Sequence, residues 1–198
     1  NWVQKNVKYI AYEEGIEGFQ PRNPNDVIKN RFGDCKDMAV LVSTMMKQCG
    51  IDCYYAWVGT RSKCYTYEEC PTPMVDNHMI AAYPMGDSLV FIDPTSAFSA
   101  FGVPSGFVQG KEAMVRVGTD EFVIKEIPVM PSGYSTDKDV IKIELDGTGI
   151  KGQGVNILSG YMKGSFQAGL TYSDLTPEKL FINFHDIGNK SVSIGDLV

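Results

Sequence analysis

Residues 33–50 constrain the fold of this chain most. Gly33-Asp34-Cys35-Lys36-Asp37 is followed by Met38, Leu41, Val42, Met45 and Cys49, three- and four-residue steps that place side chains on one helical face turned toward a core. Asp34 falls at the N-cap, where its carboxylate accepts from first-turn N–H groups. Asp37, three residues on, gives a capping-box-like partner, and Gly50 stops the helix. Cys35 is therefore the first helical residue. A free thiol titrates near about 8.5, and the positive end of a helix macrodipole favours the thiolate. Such a cysteine is either a small buried hydrophobe, the usual fate of a free cysteine, or a nucleophile, and a nucleophile needs a base.

The chain has two histidines, and a hairpin presents one of them. His78-Met79-Ile80-Ala81-Ala82-Tyr83 and Ser88-Leu89-Val90-Phe91-Ile92-Asp93 are apolar runs joined by Pro84-Met85-Gly86-Asp87, which reads as an antiparallel pair with a four-residue loop. Tyr83 then pairs with Ser88, and His78 lies directly opposite Asp93 at the open end. Cross-strand Cβ atoms sit about 4.5–5.5 Å apart, within reach of a carboxylate–imidazole hydrogen bond. Pro94 ends the second strand. A slip of one residue would send the two side chains to opposite faces.

Arg31-Phe32-Gly33-Asp34-Cys35-Lys36-Asp37, Asn77-His78 and Phe91-Ile92-Asp93-Pro94-Thr95 resemble the three signature blocks of the transglutaminase-like superfamily, and roughly residues 1–115 take part in the likeness. It is most similar to the bacterial transglutaminase-like core. The resemblance implies an α+β fold: a papain-like/transglutaminase-like core with the nucleophile at a helix N-terminus packed on an antiparallel sheet, plus a smaller β-rich C-terminal segment. It implies Cys35 as nucleophile, His78 as general acid and base, and Asp93 as the group that orients the imidazole.

The implied activity is cleavage or transfer of peptide or side-chain amide acyl groups through a Cys35 thioester. Hydrolysis is favoured slightly over amine transfer, and no cofactor is implied. Acyltransferases and glycan-releasing amidases of similar fold offer other acyl donors. The non-enzymatic alternative is a binding or scaffold module that retains the fold. The backbone N–H of Cys35 is one expected oxyanion donor. Trp2 and Gln4, in the segment where relatives place an upstream helper, are candidates for a second. Asn77 is a candidate to orient His78 or line the cleft. Lys36 is expected to point to solvent and Asp37 to cap.

Composition bounds the rest. With 198 residues and 43% hydrophobic content, the chain can bury one good core and a second small one. A net charge of −6 with no Lys/Arg run argues against a nucleic-acid surface, and no apolar stretch reaches transmembrane length. Five cysteines suit one free nucleophile and two optional pairs, Cys64 with Cys70 and Cys49 with Cys53; all five reduced is the equal alternative. A zinc site from Cys64, Cys70 and His78 lacks paired-ligand spacing, so no metal is expected. The relatives' habits and the loop cysteines point to a periplasmic or extracellular setting.

The organisation expected is a catalytic core over 1–130, a linker over 131–137 and a β-rich accessory domain over 138–198, truncated at its end. Opening at Asn1 and ending on Ser191-Val192-Ser193-Ile194, the chain reads as an excised piece whose partners include a missing upstream β-rich domain besides the amide substrate. Within it, residues 2–12 read as a short helix and 26–30 as a helical turn. Residues 54–60 and 121–127 read as strands. Residues 61–76 read as a long loop over the cleft. Residues 140–145 and those from Ile150 onward read as a hairpin, and Thr176-Pro177-Glu178 opens a helix with His185 near its end.

Overall fold

A computed structural model describes residues 2–12, 15–147 and 149–184, so His185 and the terminal alternating run lie outside the described residues. The chain divides into two compact units, Asn1–Met130 and Pro131–Val198.

The first unit runs α1 (Trp2–Asn6), β1 (Lys8–Tyr9), α2 (Pro24–Asn30), β2 (Phe32–Gly33), α3 (Cys35–Gln48), β3 (Tyr54–Val58), β4 (His78–Met85), β5 (Ser88–Ile92), β6 (Glu112–Arg116) and β7 (Phe122–Glu126). The expected helix over 2–12 is shorter, because the chain turns extended at Lys8 to pair β1 with β2. The helical turn before α3 is longer, since Asn23 caps it and Pro24 occupies its first position, where a missing N–H costs nothing. Strands β3–β7 form one antiparallel sheet in the order β5-β4-β3-β6-β7.

Both faces of that sheet are covered, which is why its strands read as nearly unbroken apolar runs. On one face Tyr55, Trp57 and Met79 pack against Cys35 and Ala39 of α3. On the other, Ala56, Val58, Ile80, Ala82, Phe91, Val108, Ala113, Val115 and Ile127 close a core as the sheet curls. The far side of α3 packs Met38 and Leu41 on Val3, Val7 and Val27 of the α1–α2 segment. Helix α3 therefore has two buried faces. The expected apolar stripe is the α1–α2 face, and Cys49, expected to extend it, is exposed at the C-cap.

The hairpin differs from its expected register. Met85 pairs with Ser88 and Ala81 with Ile92, so the loop is the two residues Gly86 and Asp87. Gly86 has φ 60°, and Asp87 is not among the positive-φ residues, the pattern of a two-residue type II′ turn. Pro84 lies inside β4 instead of in the loop; β3 pairs only as far as Ala82, so the missing N–H of Pro84 breaks no β3–β4 hydrogen bond. The pairing is displaced by two residues, an even number. His78 and Asp93 keep a common face but stand diagonally, not directly opposite.

The second unit holds a hairpin of β8 (Asp137–Asp146) and β9 (Gly149–Leu158), then α4 (Gly160–Tyr172) and α5 (Pro177–Phe184). The hairpin pairs Asp137 with Leu158 through Asp146 with Gly149. A Cβ on Gly169 would come 2.8 Å from a Leu180 methyl, so the glycine is what lets α5 approach α4. Helix α4 has no counterpart in the sequence-based reading.

Candidate active site

The N-terminus of α3 is built from charges that face inward. Asp34 Oδ1 accepts from the N–H groups of Lys36 (3.0 Å) and Asp37 (3.2 Å), and Asp37 Oδ2 accepts from the Asp34 N–H (3.0 Å), a reciprocal capping box. Asp37 also accepts from the Arg22 backbone N–H (2.7 Å) and from its guanidinium, so it is a docking point as well as a cap. Lys36, expected in solvent, is buried instead. Its Nζ donates to Asp34 Oδ2 at 2.6 Å, because a lone buried carboxylate would be costly and an ammonium in reach neutralises it.

A Cβ on Gly33 would meet the Asp37 Cβ at 2.8 Å, which explains the glycine before the cap. Capping by Asp34 takes the N–H groups of the second and third helical residues. Among the described residues, the Cys35 N–H donates to no backbone or side-chain acceptor.

Cys35 is buried, 4% exposed, between Ala39 and Met79. His78 opens β4 and is also buried. Its Nε2 lies 3.0 Å from Asp93 Oδ2, which leaves Nδ1 for the sulfur. Burial pushes the imidazole pKa down. The Asp93 hydrogen bond, the hydrogen bond and charge of Cys35, and the Asp93 charge outweigh burial and raise it from 6.5 to about 9. Cys35, His78 and Asp93 are thus brought together.

Asp93 is held on all sides. Oδ2 also accepts from Ser105 Oγ at 2.6 Å, and Oδ1 accepts from the Thr95 N–H (3.1 Å) and Oγ1 (2.6 Å). Burial pushes this carboxyl up, but the His78 bond and charge, then Ser105 and Thr95, bring it below its ordinary value. Ser105 is buried and comes from a Gly- and Pro-punctuated stretch with no periodicity to announce it. Two residues on, the Phe107 ring sits edge-on to His78, with centroids 5.2 Å apart.

The other candidates make contacts of their own. Gln4 Nε2 donates to the Ser96 carbonyl at 2.7 Å and toward that of Ser99 at 3.4 Å, tying α1 to the segment after Asp93. Trp2 is 39% exposed and stacks under the Arg31 guanidinium, 4.8 Å from the ring centroid. Asn77 accepts from the Thr60 N–H (2.9 Å) and donates to Thr60 Oγ1 (3.1 Å), so its carboxamide fixes the start of the 61–76 loop and does not orient His78.

That loop is pinned, not free over a cleft. The Tyr65 and Tyr67 hydroxyls both donate to Asp76, the Tyr67 N–H donates to Glu112 at 2.7 Å, and Lys111 Nζ donates to the carbonyls of Lys63 and Tyr65. All five thiols are free. Among the described residues, no group of three His, Cys, Asp or Glu side chains is placed to hold a metal ion, and no helix is long and apolar enough to cross a membrane.

Residues 1–94 match the family model of the transglutaminase-like superfamily. No curated protein and no solved structure matches the chain. The matched segment runs from α1 through Asp93 and Pro94, and so contains the capped cysteine, the histidine strand and the aspartate. The first unit, an α+β fold with its cysteine at a helix N-terminus, is thus transglutaminase-like over residues 1–94.

Proposed function

We propose that this protein is a cysteine enzyme acting on peptide or side-chain amides through a Cys35 thioester, with hydrolysis as the default outcome. The observation that carries the reading is the buried His78–Asp93 contact of 3.0 Å, with Cys35 on the same imidazole.

In this mechanism the Cys35 sulfur attacks the amide carbonyl carbon, and the C=O electrons move onto oxygen. The Cys35 N–H, left over by the cap, donates to that oxyanion, a contact worth about a hundredfold or more in rate. His78, protonated up to about pH 9, gives the Nδ1 proton to the leaving nitrogen as the C–N bond breaks. Water or a primary amine then attacks the thioester, His78 takes its proton, and the C–S bond breaks to release the Cys35 thiolate beside the re-formed imidazolium. Asp93 fixes the ring through Nε2, and Ser105 and Thr95 fix Asp93.

A second reading is a binding or scaffold module, and one observation favours it: Cys35 is only 4% exposed. Iodoacetamide separates the two. Selective alkylation of Cys35 at neutral pH, lost in His78→Ala, supports the enzyme; slow, uniform labelling of all five thiols supports the scaffold. Mass spectrometry of the protein incubated with candidate peptides and cell-wall fragments, with and without a primary amine, then tests for the acyl adduct on Cys35 and for its acceptor.

A further inference from the structure

We infer that a basic cleft in the first unit is a subsite for a carboxylate of the peptide substrate. The identity of this ligand rests on the amide-acyl reading above; the cleft's preference for anions does not.

The cleft has a volume of about 320 Å³ and is lined by Arg61, Lys63, Cys64, Gln109 and Lys111, among others. That volume is at the small end of the range for ligand pockets. Arg61 and Lys63, which among the described residues have no carboxylate within salt-bridge distance, line it beside Lys111, whose charge also acts on Asp76, in a chain of net charge −6. Uncompensated cations that share a concave surface attract an anion more strongly than the same charges scattered.

The polar lining is arranged to donate. Lys111 Nζ donates to the Lys63 carbonyl at 2.7 Å and to the Tyr65 carbonyl at 3.0 Å, which fixes the ammonium and leaves one of its three N–H groups. Gln109 Oε1 accepts from the Met130 N–H at 2.6 Å, so the acceptor end of that carboxamide is occupied and its NH2 end remains. Arg61 adds a planar fork that matches a carboxylate.

Backbone links tie the cleft to the candidate active site. The Arg61 N–H donates to the Phe107 carbonyl at 2.8 Å, and the Phe107 ring meets His78 edge-on. Ser105, Phe107, Gln109 and Lys111 are consecutive odd positions of one segment. Gln109 therefore lies at most about 7 Å along the backbone from the residue that touches the imidazole. A substrate bound at Cys35 that carries a carboxylate a few residues from its scissile amide would meet these donors.

Cys64 lines the cleft and is exposed, so its alkylation reports the local field, with exposed Cys49 as internal reference. At low ionic strength the iodoacetate-to-iodoacetamide rate ratio at Cys64 should exceed that at Cys49 by about fivefold, and should fall to the Cys49 value in Arg61→Gln/Lys63→Gln. Acetylated pentapeptide amides carrying Glu, or carrying Gln with a free C-terminal acid, should protect Cys64 from iodoacetamide in the wild type. The neutral Gln amide should not. Protection by the first assigns an acidic side chain, and protection by the second a chain terminus.

Equal ratios at Cys64 and Cys49, a ratio unchanged in the double variant, or protection by no carboxylate peptide overturns the subsite. Cys35 is read in the same digests. Fast Cys35 labelling with no charge preference at Cys64 removes the subsite alone, whereas slow Cys35 labelling with Cys64 protected removes the enzyme reading and leaves a carboxylate-binding cleft.

Discussion

Replacing Asp93 by asparagine removes a charge while keeping its shape. The rise of His78 from 6.5 to about 9 corresponds to a preference of about 3 kcal/mol for the protonated ring, an upper figure for Asp93 because Cys35 contributes to it. A histidine whose folded pKa lies above its unfolded value stabilises the fold fully below the unfolded value, and that contribution disappears as pH rises through the folded one. The wild type should therefore exceed Asp93→Asn in stability by about 2–3 kcal/mol near pH 6. The gap should close between pH 6.5 and about 9. At the acid edge the same interaction, counted once, is complete above the ordinary Asp value and is lost as pH falls through the lowered Asp93 value.

Two assays read this. The chain has two histidines, so an NMR titration of the imidazole C–H signals resolves His78 once a His185→Gln control assigns the other signal. Urea unfolding at about pH 6 and about pH 9.5 gives the stability gap. If the enzyme reading is right, the alkaline limb of kcat/KM falls near the same value, since the leaving amine needs the imidazolium. A wild-type His78 titrating near 6.5, or a stability gap equal at both pH values, would refute the reasoning.

Ser105→Ala should cost about 2 kcal/mol, because a buried carboxylate loses a hydroxyl donor; urea unfolding measures it, and Ser105→Thr should recover part. Gly33→Ala forces a methyl to 2.8 Å from the Asp37 Cβ and should cost about 1–3 kcal/mol as overpacking, with the Arg22 contact to Asp37 disturbed; an unchanged denaturation midpoint would contradict the crowding. Asn77→Ala should lower stability by about 1 kcal/mol through its Thr60 bonds while leaving the His78 titration in place, and a shifted titration would return Asn77 to the imidazole's surroundings.

The α3 cap was legible because Asp34, Asp37 and the apolar spacing agree, and local agreement of that kind survives into the fold. The second buried face of α3 was not, since Cys35 and Ala39 are too small to register as an apolar stripe. Pro84 made a four-residue loop look reasonable, yet turn chemistry favours Gly86-Asp87, and alternation rescued the His78–Asp93 pairing despite the changed register. Strand β6 hides behind Gly110, and α4 carries Gly160, Gly164 and Gly169, each unfavourable in a helix. Ser105 acts through a contact across 12 residues, which no local pattern encodes.

The clasp of Tyr65 and Tyr67 on Asp76 separates the part of this segment that holds it in place from the part that is free to change. With one end of the 61–76 segment moored at Thr60 and the other two positions before His78, lengthening or rewriting its crest around Glu68 and Glu69 leaves the moorings intact. Changes to that crest therefore need not recalibrate the histidine, whereas removing both phenols would strip Asp76 of the two hydroxyls that close the segment on itself.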